Sequence, residues 1–364
     1  MLALLLLLAS AQLFVGQYSA ERWKPRRLTA ETEFVGDETC AECHKTNAAS
    51  HAQSGMAHAM QTAGDSRVLM ANPLMNFRVG PYSYQIKRDG VQSVYSVSDG
   101  KETIAAPILF ALGQGKAGQT YVFQHDGAFY ETRVSFFNEV KGLDFTIGHA
   151  RNVPATLNDA LGRRLSETEA ADCLGCHSSG GVRGKEIRLD KLVTGVRCEA
   201  CHGPGGRHVA ASKAGEPAKG PIFSGRLMGG DKMTQDFCAA CHQGSDNSAI
   251  SKVADTEVNS IRFQPYRLFH SKCYSDDRRI GCTGCHDPHQ PLRRDAAYYD
   301  SQCLTCHALK GAKVTTGTQA ACPVATKDCT SCHMPKVRVD EAHFSFTDHY
   351  IRVVRRKTSA PSGN

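Results

Sequence analysis

Tryptophan is almost missing from this chain: Trp23 is the single one in 364 residues. Aromatic residues make up 7% and hydrophobic residues 41%, while Gly (33) and charged residues (22%) are plentiful. Large apolar side chains are thin for a length that fits one large domain or two ordinary ones. A core built from side chains alone is therefore short of material, and bound cofactors are one remedy. Long hydrophobic runs are also scarce. Leu2 to Ala9 is the only one, and it is too short to cross a bilayer. With Ala9-Ser10-Ala11 behind it, the run reads as a signal region over residues 1–20, although no Lys or Arg precedes it. The expected location is periplasmic or extracellular, with no transmembrane anchor in the mature chain.

Cysteine is present in excess. Sixteen thiols are too many for a cytosolic enzyme of this size unless they hold metals or cofactors. Fourteen fall into one pattern, Cys-x-x-Cys-His, repeated seven times. Motif 1 is Cys40, Cys43 and His44; motif 2 is Cys173, Cys176 and His177; motif 3 is Cys198, Cys201 and His202. Motif 4 is Cys238, Cys241 and His242; motif 5 is Cys282, Cys285 and His286; motif 6 is Cys303, Cys306 and His307; motif 7 is Cys329, Cys332 and His333. This is the attachment signature of haem c. Two thiols add to the vinyl groups and the adjacent imidazole becomes the proximal iron ligand. Paired Cys-x-x-Cys units also make zinc sites or disulfides. Histidine, however, is only 16 of 364 residues, and chance would rarely place one after every pair. Seven covalently attached haem c groups are expected. Cys273 and Cys322 remain, as a possible disulfide or as two separate thiols.

Each iron takes a sixth ligand or leaves a site open. Nine histidines remain. His208 and His289 sit on Gly/Pro-marked turns beside motifs 3 and 5, where a ring can be aimed at a neighbouring haem. His343 and His349 lie in a C-terminal segment with no other evident task. His51 and His58 share a face if their segment is helical. His149 and His270 are further candidates, whereas His125, ahead of Asp126-Gly127, reads as a surface histidine. Met56 is the rival, since Met/His ligation raises the potential. Ordinary packing is the commoner fate of a methionine.

Motif 1 stands apart in sequence, and the other six begin between Cys173 and Cys329. In the interval, Tyr82, Tyr84 and Ile86 alternate with polar residues, and Asp89-Gly90, Asp99-Gly100 and Asp126-Gly127 punctuate β-forming runs. That pattern predicts hairpins. The expected organisation is a first haem-binding segment (21–75), a small antiparallel β insert (76–150), a six-haem domain (151–352) and a disordered basic tail (353–364). The fold class is expected to be mainly α and irregular, wrapped around stacked haems, with folding tied to haem attachment. The formal charge of +7 does not point to nucleic acid. Each oxidised haem with two propionates brings about −1, so seven offset it.

The segments Cys198-Glu-Ala-Cys-His-Gly-Pro-Gly-Gly-Arg-His208, Cys282-Thr-Gly-Cys-His-Asp-Pro-His289 and Cys329-Thr-Ser-Cys-His-Met-Pro-Lys336, with Phe346-Thr-Asp-His349, resemble the multihaem cytochromes related to the tetrahaem electron acceptor of hydroxylamine oxidation. Cys40-Ala-Glu-Cys-His44 with a nearby Ser-Gly-Met is similar to that group too. The resemblance implies stacked haem pairs, mostly bis-histidine ligation, electron transfer, and His208 and His289 as ligands to haems other than their own. Relatives include carriers and reductases. Three readings stand: a carrier between redox protein partners; a reductase or oxidase of a small nitrogen or sulfur substrate with one open haem; and a subunit of an extracellular cytochrome assembly, with homo-oligomers open. The absence of a Cys-x-x-Cys-Lys motif counts against a nitrite-reductase-like enzyme.

Overall fold

The computed structural model describes residues 34–217, 237–242, 258–275, 280–307 and 327–354, with Cys322 and Ala325. The expected signal region, most of the basic tail and part of the Gly/Lys/Pro-rich loop after Ala210 lie outside these residues.

The largest element is a ten-stranded antiparallel sheet. Its strands are β1 (Met60–Thr62), β2 (Leu74–Val79), β3 (Tyr82–Asp89), β4 (Gln92–Ser98), β5 (Thr103–Leu112), β6 (Gly118–His125), β7 (Ala128–Thr132), β8 (Val134–Phe137), β9 (Gly142–Phe145) and β10 (Gly162–Arg164). The main path runs β10-β7-β6-β5-β4-β3-β2, with β1 on β5, and with β8 joining β6 to β9. The expectation of a mainly α fold with a small insert is corrected here. The sheet takes in residues on both sides of the expected 76–150 insert, and the helices are short.

The physical reason is legible in each half. Alternation places Tyr82, Tyr84 and Ile86 of β3 inward, with Tyr95 and Val97 of β4, Tyr121 and Phe123 of β6 and Val134 of β8. A two-residue turn with positive φ at both Asp126 and Gly127 closes β6 onto β7. That is a primed hairpin turn, whose twist matches the strands. By contrast, β1 and β10 reach the sheet from outside the interval, pairing Met60 with Leu112 and Gly162 with Thr132. No turn signal announces such pairings. Gly162 is required where it stands: a Cβ would lie 2.2 Å from the Glu131 carbonyl.

The sheet also reaches the motifs. Met60, Phe110 and Val122 form a second apolar cluster with Leu174, from the motif 2 helix Glu167–His177. Ser166 caps that helix by accepting from Glu169 N–H, in a capping box. Arg163 of β10 bridges Glu131 of β7 and Glu169 of the helix. The motif 2 helix is thereby fastened to the sheet at both its apolar side and its N-terminus.

Candidate haem sites

A helical turn carries residues three and four apart on one side. This is what Cys-x-x-Cys-His needs to present two sulfurs and an imidazole together. The helix Gly36–Cys43 ends on motif 1, with His44 N–H donating to Cys40 O at 2.9 Å. Motifs 2, 3, 4 and 7 lie in the helices Glu167–His177, Cys198–His202, Ala239–His242 and Cys329–His333. Motif 5 is a tighter turn, and motif 6 closes the helix Ala296–Leu304. In both, the histidine N–H still reaches the first cysteine carbonyl, at 2.8 and 2.9 Å.

Three motif histidines face a second imidazole. The ring centroids of His44 and His208 are 6.3 Å apart with planes at 19°, and those of His286 and His349 are 6.3 Å apart at 45°. His202 and His289 are 5.7 Å apart at 12°, with 3.4 Å between their Nε2 atoms. A metal–imidazole bond is about 2 Å, and nitrogen lies about 1.1 Å from the ring centre, so two imidazoles on opposite sides of one metal have centroids about 6.2 Å apart. For His202 and His289, the Nε2 gap plus two such radii accounts for the centroid distance. The rings therefore meet tip to tip, not face to face.

The far nitrogens are held as an axial ligand requires. Nδ1 of His177 donates to Ala59 O at 2.9 Å, Nδ1 of His333 to Arg352 O at 3.1 Å, and Nδ1 of His349 to Thr347 O at 3.0 Å. A carbonyl can only accept, so the proton sits on Nδ1 and the Nε2 lone pair is free. Close packing lowers the pKa of His177 and His286 below the ordinary imidazole value. It pushes His349 down to about 4, helped by its neighbour His286. All three are neutral at pH 7, the form that binds metal. These donor sets fit haem c.

Carboxylates organise the surroundings. Asp348 is fully buried and accepts from Arg267 Nε (2.9 Å) and Nη2 (2.8 Å), Arg352 Nη1 (2.6 Å) and Tyr350 N–H (3.0 Å). It locks a short strap that carries His349 toward His286 and the Arg352 carbonyl to His333. Burial alone would raise the Asp348 pKa, but the Arg267 and Arg352 hydrogen bonds hold it below the usual range.

The motifs touch one another. The leading thiols lie beside one another in three pairs: Cys40 with Cys198, Cys238 with Cys282, and Cys303 with Cys329. Cys176 Sγ lies 3.9 Å from Ala240 O, bringing motif 2 to motif 4. The His202–His289 pair joins motifs 3 and 5, and the Asp348 strap joins 5 and 7. Motif 1, isolated in sequence, therefore sits against motif 3.

The other expected candidates have other neighbours. Nε2 of His149 lies 3.0 Å from Glu131, and Nε2 of His343 lies 2.7 Å from Asp144, with its ring 4.9 Å from Phe137. His270 packs edge-on against Tyr266 at 4.9 Å. His51, half-buried, lies near Asp37, His289 and His202; His58 has Arg67, Arg197 and Lys116 around it. Burial lowers the pKa of both. His125 stands beside Asp126, 3.4 Å away, as a turn residue. Met56 lends its backbone carbonyl to Val196 N–H at 2.9 Å. Cys273 is half-buried and Cys322 is exposed. Asp37, Glu199, Asp300 and Asp348 were not singled out from sequence. The one available signal was an aspartate three residues ahead of Cys40 and again of Cys303.

Comparison with known proteins agrees with this geometry. The family model described as cytochrome c554 and c-prime matches residues 149–203, which hold motifs 2 and 3. The proteins that the chain is similar to are multihaem c-type cytochromes, and likeness to them implies covalently bound haem c. The chain is 24% identical over 209 residues to the multiheme cytochrome MtrA of Shewanella baltica, covering 54% of this chain and 53% of that protein. It is 38% identical over 90 residues to cytochrome c-554 of Nitrosomonas europaea, covering 22% of this chain and 38% of the other. The match thus spans about half the length, or less, of these curated relatives. The crystal structure of the outer cell wall cytochrome OcwA overlays with a TM-score of 0.50 at 15% identity, over 88% of this chain and 80% of that one. At that identity the likeness is one of fold.

Proposed function

We propose that the chain is a seven-haem electron-transfer protein acting outside the cytoplasm between redox protein partners. The observation that carries this reading is the contact between motifs: each of the seven touches or shares a segment with another. The group these motifs hold supplies a one-electron iron couple, and a run of such groups in close succession suits conduction. The chain's own residues provide spacing and ligation. Cys-x-x-Cys-His turns anchor each group, and backbone carbonyls fix the Nδ1 proton of His177, His333 and His349. His208, His289 and His349 are the proposed distal ligands at motifs 1, 3 and 5. Motifs 1, 2 and 6 stand at the ends of the described contacts and are the proposed points of electron entry and exit. Location outside the cytoplasm is supported by the Leu2–Ala9 run and by the name of the outer cell wall neighbour.

An electron paramagnetic resonance spectrum of the oxidised protein tests the reading. Low-spin signals alone are expected if every iron takes a second ligand, as the facing imidazoles at motifs 1, 3 and 5 would provide. A substantial high-spin component would favour the reductase reading instead, and turnover of nitrite, hydroxylamine or tetrathionate would then be sought.

A further inference from the structure

Two of the touching motif pairs are built alike, although their sequences are far apart. In the first, Asp37 stands three residues before Cys40, and its Oδ1 accepts from Cys198 N–H, the first N–H of the motif 3 helix, at 3.0 Å. In the second, Asp300 stands three residues before Cys303, and its Oδ1 accepts from Cys329 N–H, at the start of the motif 7 helix, at 2.8 Å. Its Oδ2 takes Asp328 N–H at 2.7 Å. In both pairs the partner's leading thiol also lies beside the same aspartate and beside the aspartate's own leading cysteine. A carboxylate at the N-terminus of a helix satisfies otherwise orphaned N–H groups. Here it reaches across from another motif. In the first pair the favour is returned: Glu199, inside motif 3, accepts from Val35 N–H at 2.9 Å and Gly36 N–H at 2.9 Å, at the start of the motif 1 helix.

We propose that Asp37 and Asp300 are positioning residues that set the separation of two haem-bearing motif pairs, 1 with 3 and 6 with 7. The proposal rests on the seven-haem reading above. Thioether formation removes the thiol proton but leaves the backbone N–H, so the pin survives loading. Its burial differs between the pairs: Asp300 is buried, whereas Asp37 is half-buried. The motif 6/7 pin is accordingly the stronger one. At the third touching pair, Cys238 with Cys282, the sequence has Gln235 and Arg279 at the corresponding positions.

The test uses the holoprotein and five variants: Asp37→Ala, Asp300→Ala, the double variant of these two, Asp300→Asn and the control Ser166→Ala. Ser166 caps the motif 2 helix from within its own segment, so its loss costs stability without loosening a contact between motifs. Intact mass first counts the haems on every sample. Fewer than seven in the parent would sink the underlying reading rather than the pins. The readout is the spin-coupled part of the oxidised paramagnetic resonance spectrum. Each aspartate variant is expected to lose the coupled signal of one pair, the double variant both, and Ser166→Ala neither. Asp300→Asn, which keeps an acceptor for Cys329 N–H, should stay close to the parent and covers the case in which Asp300→Ala fails to load. Spectra of the aspartate variants that overlay on the Ser166→Ala control would overturn the proposal, as would a parent with no coupled signal.

Discussion

The sheet between Met60 and Arg164 and the motif-bearing segments after Glu167 solve the same problem with different materials. The sheet buries Tyr84, Tyr95, Tyr121 and Phe123 almost completely and holds itself together as an ordinary core does. The motif segments bury few large apolar side chains. Their helices are joined by single carboxylates, carbonyl-to-imidazole hydrogen bonds and the Asp348 strap. One region is cohesive through area, the other through a few exact contacts that the cofactor completes. The contrast indicates that the sheet is a cofactor-independent platform and the rest a scaffold that takes its final form on loading.

The largest expected effect separates the two regions outright. In protein made without haem attachment, hydrogen exchange should leave residues 74–145 protected, while the helices Cys198–His202 and Cys329–His333 exchange without delay. Equal protection of both would break the comparison. Next comes a core deletion: Phe123→Ala should cost about 3–5 kcal/mol of sheet stability, read by denaturant melts. Its haem absorption spectrum should stay that of the parent. Asp348→Ala is the mirror experiment. Stripping a buried charge from Arg267 costs about 3–5 kcal/mol, and this time the sheet should be spared. Here the spectrum should change, with one haem turning high-spin as His349 is released. Smallest is Ser166→Ala, a cap loss of about 1 kcal/mol, visible as a modest shift in the thermal midpoint.

Much of this contrast was legible in the sequence, for local reasons. Cys-x-x-Cys-His and the Asp126-Gly127 turn act within a few residues, and both stand where the pattern put them. His208 and His289 could be singled out because glycine and proline mark the segments beside motifs 3 and 5; His289 does stand on a turn, whereas His208 lies in the helix Gly206–Lys213. What escaped was long-range. Strands β1 and β10 join the sheet by pairing across the chain, so the insert looked smaller and more separate than it is. Motif 1 looked isolated because Asp37 and Glu199 are far apart in sequence yet tie its helix to motif 3. His343 seemed without another task because Asp144, its carboxylate neighbour, comes from a distant strand.

The central claim is that one chain carries seven electron-accepting sites in contact with one another. Reductive titration of the purified holoprotein, with electrons counted per chain and haem absorbance followed, tests it most directly. The account predicts that seven electrons are taken up and that absorbance changes through the last of them. An endpoint below seven in fully loaded protein would contradict it.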